Sequence, residues 1–291
     1  MMKRMKNVLL YLGFAGISTF LFAAVTMFSF LYGIFLTFTD WNGMSSTYNF
    51  VGISNYTNAA RDSEMWASLF VTFRYVLFVA VITNVVAFAI AYALTRGLKG
   101  QNLYRGGFFT PNLIGGIILG VVWRFIFSGF FTRIGSDFGI PLFEKNWLSA
   151  PKTAFAALVL VSIWQMAGYL MIIYMAGLIG IPKDILEAST IDGASGLIKF
   201  TKITLPLVMP SITICGFLTI QRTFMSYDLN FALTKGGPFG STRLVAMHVY
   251  NTAFVSEKYG IGQVQALILF VIVTVITVTQ VYFSKKAEVE A

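Results

Sequence analysis

One cysteine and one histidine stand in 291 residues. Cys215 alone excludes an internal disulfide and any CxxC metal site, and its apolar surroundings point to a small packing residue. His248 alone removes most zinc sites and Ser-His-Asp arrangements. Charge is equally scarce. Only 11% of residues are Asp, Glu, Lys or Arg, too few to clothe the two soluble domains that the length alone would allow. No G-x-x-x-x-G-K-[ST] run occurs, so the chain carries no phosphate-cradling loop of its own. Asp228 is the one acidic residue expected at membrane depth and has no acidic neighbour there, which argues against a membrane-embedded enzyme; no catalytic or metal-binding set is assigned. Internal repeats, low-complexity tracts and linkers are absent too, so residues 1–291 read as one domain.

What is present is hydrocarbon-compatible sequence. Hydrophobic residues make up 57%, and six runs reach the roughly 20 residues needed to cross a bilayer: about 9–37, 69–95, 107–128, 154–180, 209–233 and 261–284. All are expected to be helices, because lipid offers no partner for unpaired backbone groups. The fold class is therefore all-α, a polytopic membrane protein. Lys3, Arg4 and Lys6 before the first run resemble the start of a signal peptide, but that run is too long and lacks a small-residue cleavage site, so an uncleaved span is expected.

The net charge of +9 would suggest a nucleic-acid partner in a soluble protein; here it is read as membrane orientation. With the N-terminus inside, the inner segments hold eleven Lys and Arg (Lys3, Arg4, Lys6, Arg96, Lys99, Arg105, Lys183, Lys199, Lys202, Lys285, Lys286) against seven outside. Both termini, and the connection 181–208 between spans 4 and 5, are thus expected to be cytoplasmic.

That connection is the most polar long one. Pro182 suits a helix start, Asp184 and Glu187 place negative charge near its positive end, and Gly193 or Gly196 is the expected stop, giving a helix over about 182–192. Glu187, Ala188 and Ile191 share one side by i, i+1, i+4 spacing. The composition fits either a loop lying on the membrane surface or a helix that docks into a partner's groove. Pro206 and Pro210 then open the next apolar run.

Two spans carry polar groups. Gln165 in the fourth is costly in lipid unless it finds a partner or water, so it is interhelical glue or pore lining; Tyr169 follows one turn later. In the fifth, Thr219, Arg222, Thr223 and Ser226 follow i, i+3, i+4, i+7 spacing and form a candidate translocation path, with pairing of Arg222 to Asp228 or to a partner as the alternative.

Glu187-Ala188-Ser189, then Gly193, nine residues, and Ile203-Thr204-Leu205-Pro206 resemble the signature loop of ABC importer permeases, EAA, three residues, G, nine residues, I-x-LP. Ser189 departs from the usual Ala, small for small. Asp192-Gly193-Ala194 and Phe200 agree with the sugar-importing subfamily, as do Asn49–Tyr56 (like FVGLxNY), the run 108–127, and Leu233–Pro238 (like LTxGGP). The resemblance implies a permease subunit of a binding-protein-dependent carbohydrate importer of the maltose or glycerol-phosphate type, in a bacterial or archaeal inner membrane. It implies a second related permease, two ATPase subunits that hold the ATP and Mg, an extracytoplasmic solute-binding protein, and no cofactor or nucleic acid on this chain. It also implies a coupling role for Glu187, Ala188, Ser189, Asp192, Gly193, Ala194, Leu205 and Pro206. The rival class is an ion-coupled secondary transporter of small solutes, which usually shows internal repeats and buried ionisable groups.

Overall fold

Lipid leaves helices as the available backbone solution, and the computed structural model is helical throughout, with an isolated bridge between Thr39 and Phe50 outside the helices. It describes residues 13–286 and 288; Lys3, Arg4, Lys6, both chain ends and the first residues of the 9–37 run lie outside them. In chain order the helices are α1 Gly16–Leu36, α2 Ser54–Arg61, α3 Ser63–Leu94, α4 Gln101–Leu113, α5 Gly116–Phe138, α6 Pro151–Ile179, α7 Lys183–Ile191, α8 Gly196–Leu207, α9 Met209–Phe224, α10 Asp228–Leu233, α11 Val245–Tyr250 and α12 Tyr259–Lys285. Five of these are long and apolar enough to cross a membrane, and six spans result if the bent pair α8 and α9 counts as one. The all-α polytopic reading holds.

Two of the expected runs are broken. The third, expected as one helix over 107–128, divides at Ile114 and Gly115, both in extended conformation, so that the long helix is α5, displaced toward the C-terminus. Pro111 lies in the last turn of α4, where it cannot donate to the Gly107 carbonyl four residues back. The fifth run, expected over 209–233, ends its first helix at Phe224 and restarts at Asp228. Ahead of it, α8 and α9 meet at 64°. Pro210 cannot donate to the Pro206 carbonyl four residues back, and its ring crowds that oxygen, which puts the bend at Val208.

The chain forms two compact units, one of residues up to Ser63 with Val249–Ile268, the other of Glu64–His248 with the chain from Leu269 onward. Within the first, the buried Asn55 side chain donates to the carbonyls of Thr37 (2.9 Å) and Thr39 (2.7 Å), satisfying backbone oxygens left open just past the end of α1. The loop after α1 is then closed by Asp40, whose carboxylate accepts from the Asn49 backbone N–H (2.6 Å) and side chain (3.0 Å).

Within the second unit α3 and α6 run parallel. The Tyr75 and Ser162 hydroxyls lie 2.6 Å apart, and further along the Tyr174 hydroxyl donates to Asn84 Oδ1 at 2.6 Å. Their C-terminal halves pack with Cys215 and Val208 into one core of Ala87, Ala91, Leu170 and Met171. Close approaches depend on glycine. A methyl on Gly168 would run into the Phe108 carbonyl of α4, and one on Gly120 would stand 3.0 Å from the Leu233 backbone nitrogen of α10. Such contacts let α4 and α10 sit backbone to backbone against the longer helices.

Candidate functional site

The loop between α6 and α9 is assembled from short-range instructions. Pro182 is extended and stands just before α7 as its cap residue, with Asp184 in the first turn near the positive helix end. At the other end Gly193 takes φ +75°, a left-handed conformation that side chains disfavour. The Ala194 N–H then donates to Ser189 O (3.0 Å) and the Gly193 N–H to Thr190 O (3.1 Å), the paired bonds of a Schellman stop. Lys199 reaches back from α8 and donates from Nζ to Leu186 O (2.8 Å) and Thr190 Oγ1 (2.9 Å), bringing positive charge to the negative end of α7. Ser189 is buried with its hydroxyl on Leu186 O, while Glu187, Ala188, Asp192 and Gly193 are exposed, Ala194 is half-buried, and Ile191 is 87% exposed. Leu205 and Pro206 are half-buried on α8, directly before the 64° bend.

The two helix breaks meet at a polar cavity of about 240 Å³. Its walls include Gln165, Arg222, Thr223 and Ser226, four of the six residues singled out for a path, together with Tyr75 and Asp228. Gln165 donates from Nε2 to the Ile114 carbonyl (3.0 Å), an oxygen freed by the break between α4 and α5. It thus joins two helices and lines the cavity. Arg222 donates from Nη1 to Asn112 Oδ1 (2.8 Å), just ahead of the same break. Ser226 lies in the non-helical stretch between α9 and α10. Irregular backbone at membrane depth is tolerated where it is buried in protein or lines a cavity, and here two such stretches share one.

The other two path residues stand elsewhere. Thr219 is fully buried, donating to Cys215 O (2.6 Å) and accepting from Asn84 Nδ2 (3.1 Å). Tyr169 packs against the Ala87–Leu170 core. The spacing argument placed Thr219, Arg222, Thr223 and Ser226 on one helical side, but α9 stops at Phe224 and its threonines bond back to their own helix, Thr223 donating to Thr219 O. Among the described residues no group of three or more His, Cys, Asp or Glu stands close enough to hold a metal ion.

A family model described as binding-protein-dependent transport system inner membrane component matches residues 16–289. The chain belongs to that family. Among its relatives, the probable starch degradation products transport system permease protein AmyD of Thermoanaerobacterium thermosulfurigenes is 39% identical over 99% of this chain and 98% of the relative. The multiple sugar-binding transport system permease protein MsmF of Streptococcus mutans is 35% identical over 88% and 89%. A bacterial ABC transporter involved in the import of the acidic polysaccharide alginate has a subunit of the same fold, with a TM-score of 0.81 and 16% identity, covering 97% of this chain and 96% of that one.

In this permease several site residues escaped sequence reasoning. Tyr75 lines the cavity, and Asn112 accepts from the Arg222 guanidinium that lines it. Lys199 counted only as a topology charge, although its distance of nine residues from Thr190 across a glycine turn is a usable signal. Asn230 is buried, donating to Thr234 Oγ1 (3.1 Å) and Thr242 O (2.7 Å) and accepting from the Leu244 N–H (3.2 Å), and so holds the Thr234–Pro238 loop.

Proposed function

We propose that this permease is one membrane subunit of an ATP-driven importer for a sugar or oligosaccharide handed over by an extracytoplasmic binding protein. It pairs with a second, related permease, and two cytoplasmic ATPase subunits supply ATP hydrolysis. Sugars are the cargo named for AmyD and MsmF, and alginate is named for the structural relative. The observation that carries the coupling part is the exposed face of α7. Glu187, Ala188 and Ile191 point away from the chain that holds the helix in place, and this face is the docking surface for an ATPase groove.

Closure of the ATPase pair would push α7. Because Lys199 and the Gly193 stop tie α7 to α8, the displacement passes through the bend at Val208 into α9, which carries Arg222 to the cavity. The loop lies in the cytoplasm in this reading, and the cavity residues Gln165, Arg222, Thr223 and Ser226 belong to the path, with Tyr169 and Thr219 setting its packing. The test is purification of the tagged chain in mild detergent with a sugar-stimulated ATPase assay. An ATPase and a second permease should co-purify, and Glu187→Lys with Gly193→Asp should abolish both association and uptake. A chain that purifies alone, or a double variant that transports normally, defeats the proposal and returns the ion-coupled carrier.

A further inference from the structure

A larger cavity, of about 800 Å³, lies in the same unit and shares no residue with the polar one. Its walls are apolar side chains of α3 (Phe78, Val86, Ile90), α4 (Phe108) and α6 (Phe155, Leu160). Phe78 and Leu160 are themselves exposed, so the cavity is a groove on the surface of a membrane-spanning bundle and not a sealed void. From Arg74 to Ile90 the α3 wall runs sixteen residues, about 24 Å at the helical rise. Saccharide hydroxyls would find almost nothing to bond there.

One end of the groove differs in kind. Arg74 and Lys152 both line it there. The Arg74 guanidinium carbon lies 5.3 Å from the centroid of the Phe155 ring, and among the described residues no carboxylate is within ion-pair distance of either cation. Arginine within a span demands a compensating group, and a ring face supplies only part of it. Two unneutralised cations at the head of an exposed apolar groove match the two halves of one molecule.

We propose that this groove holds an anionic phospholipid, its phosphate between Arg74 and Lys152 and an acyl chain along Phe78, Val86 and Ile90. The lipid bridges α3, α4 and α6, of which α4 and α6 make the tightest glycine contact in the unit at Gly168. It would stiffen the scaffold against which α9 moves, whatever the cargo.

The test uses the chain with the subunits that accompany it, reconstituted in phosphatidylcholine vesicles with and without a quarter phosphatidylglycerol, and carrying a photo-crosslinking side chain at Ala156 on the groove wall. Irradiation should yield a phosphatidylglycerol adduct. Retention of phosphatidylglycerol through detergent extraction, read by native mass spectrometry, should fall about fivefold for Arg74→Gln or Lys152→Gln and more than tenfold for both together. The charge-preserving Arg74→Lys with Lys152→Arg should keep it, which separates charge recognition from misfolding. Crosslinking to protein, a second copy or a partner subunit, would overturn the proposal. So would equal retention of the two lipids by all variants.

Discussion

The loop around α7 and the cavity at the helix breaks are both polar interruptions of an apolar chain, yet they are built in opposite ways. In the loop every bond that sets the shape stays within one segment and spans at most thirteen residues: Ala194 to Ser189, Gly193 to Thr190, Lys199 to Leu186. At the cavity the bonds join distant segments, Gln165 to Ile114 and Arg222 to Asn112. A locally determined element can be displaced as a unit without unravelling, which suits a part that meets a partner. A site assembled from far-apart segments changes shape when any of those segments moves, which suits a path that must open and close.

The sharpest way to break this contrast is Gly168→Ala. The added methyl meets the Phe108 carbonyl, a backbone atom that cannot rotate away, so α4 and α6 must separate. The expected loss is about 3 kcal/mol or more, seen as a large fall in the thermal midpoint of the purified protein. An unchanged midpoint would mean that the long-range seam is loose, and the contrast with the loop would lapse. Next is Gln165→Leu, which leaves the Ile114 carbonyl unpaired beside the cavity at a cost of about 1–3 kcal/mol. Uptake should fall further than stability does, because the same side chain lines the cavity. Equal losses in both would reduce Gln165 to a structural brace.

Gly193→Ala tests the other side of the comparison. At φ +75° an alanine costs about 1–2 kcal/mol. Because α7 is exposed and held by its own stop, the penalty should appear as faster amide exchange over 188–194 while the global midpoint stays put. A midpoint that dropped as far as for Gly168→Ala would show that the loop is cooperative with the core.

This contrast also explains what the sequence disclosed. Helix class, span number and the limits of α7 rest on hydropathy, proline and glycine, which act within a few residues, and they were readable. The breaks at Ile114 and Met225 were not, since both are stabilised by distant segments, by Gln165 and by the α10 backbone lying on Gly116 and Gly120. Likewise the pattern Thr219, Arg222, Thr223, Ser226 gave a helical face. It could not show that threonines in a helix bond to their own carbonyls, nor that the helix would end at Phe224.

The smallest expected effect lies in another locally built element, the loop after α1. Hydrogen bonds from the Asn49 backbone N–H, and secondarily from its side chain, hold the Asp40 carboxyl below the usual aspartate range. A depressed folded value means the ionised form is favoured by folding. The stabilisation is therefore complete above the unfolded value of about 3.9 and disappears as pH falls through the lower folded one. Asp40 is exposed, so the change should be confined to amide protection across 38–51 and absent from the global midpoint. In Asp40→Asn the step should vanish, leaving protection that no longer depends on acid. A step that persisted in Asp40→Asn would assign the acid sensitivity to another group, and the loop would owe its closure to the Asn55 bonds on the Thr37 and Thr39 carbonyls alone.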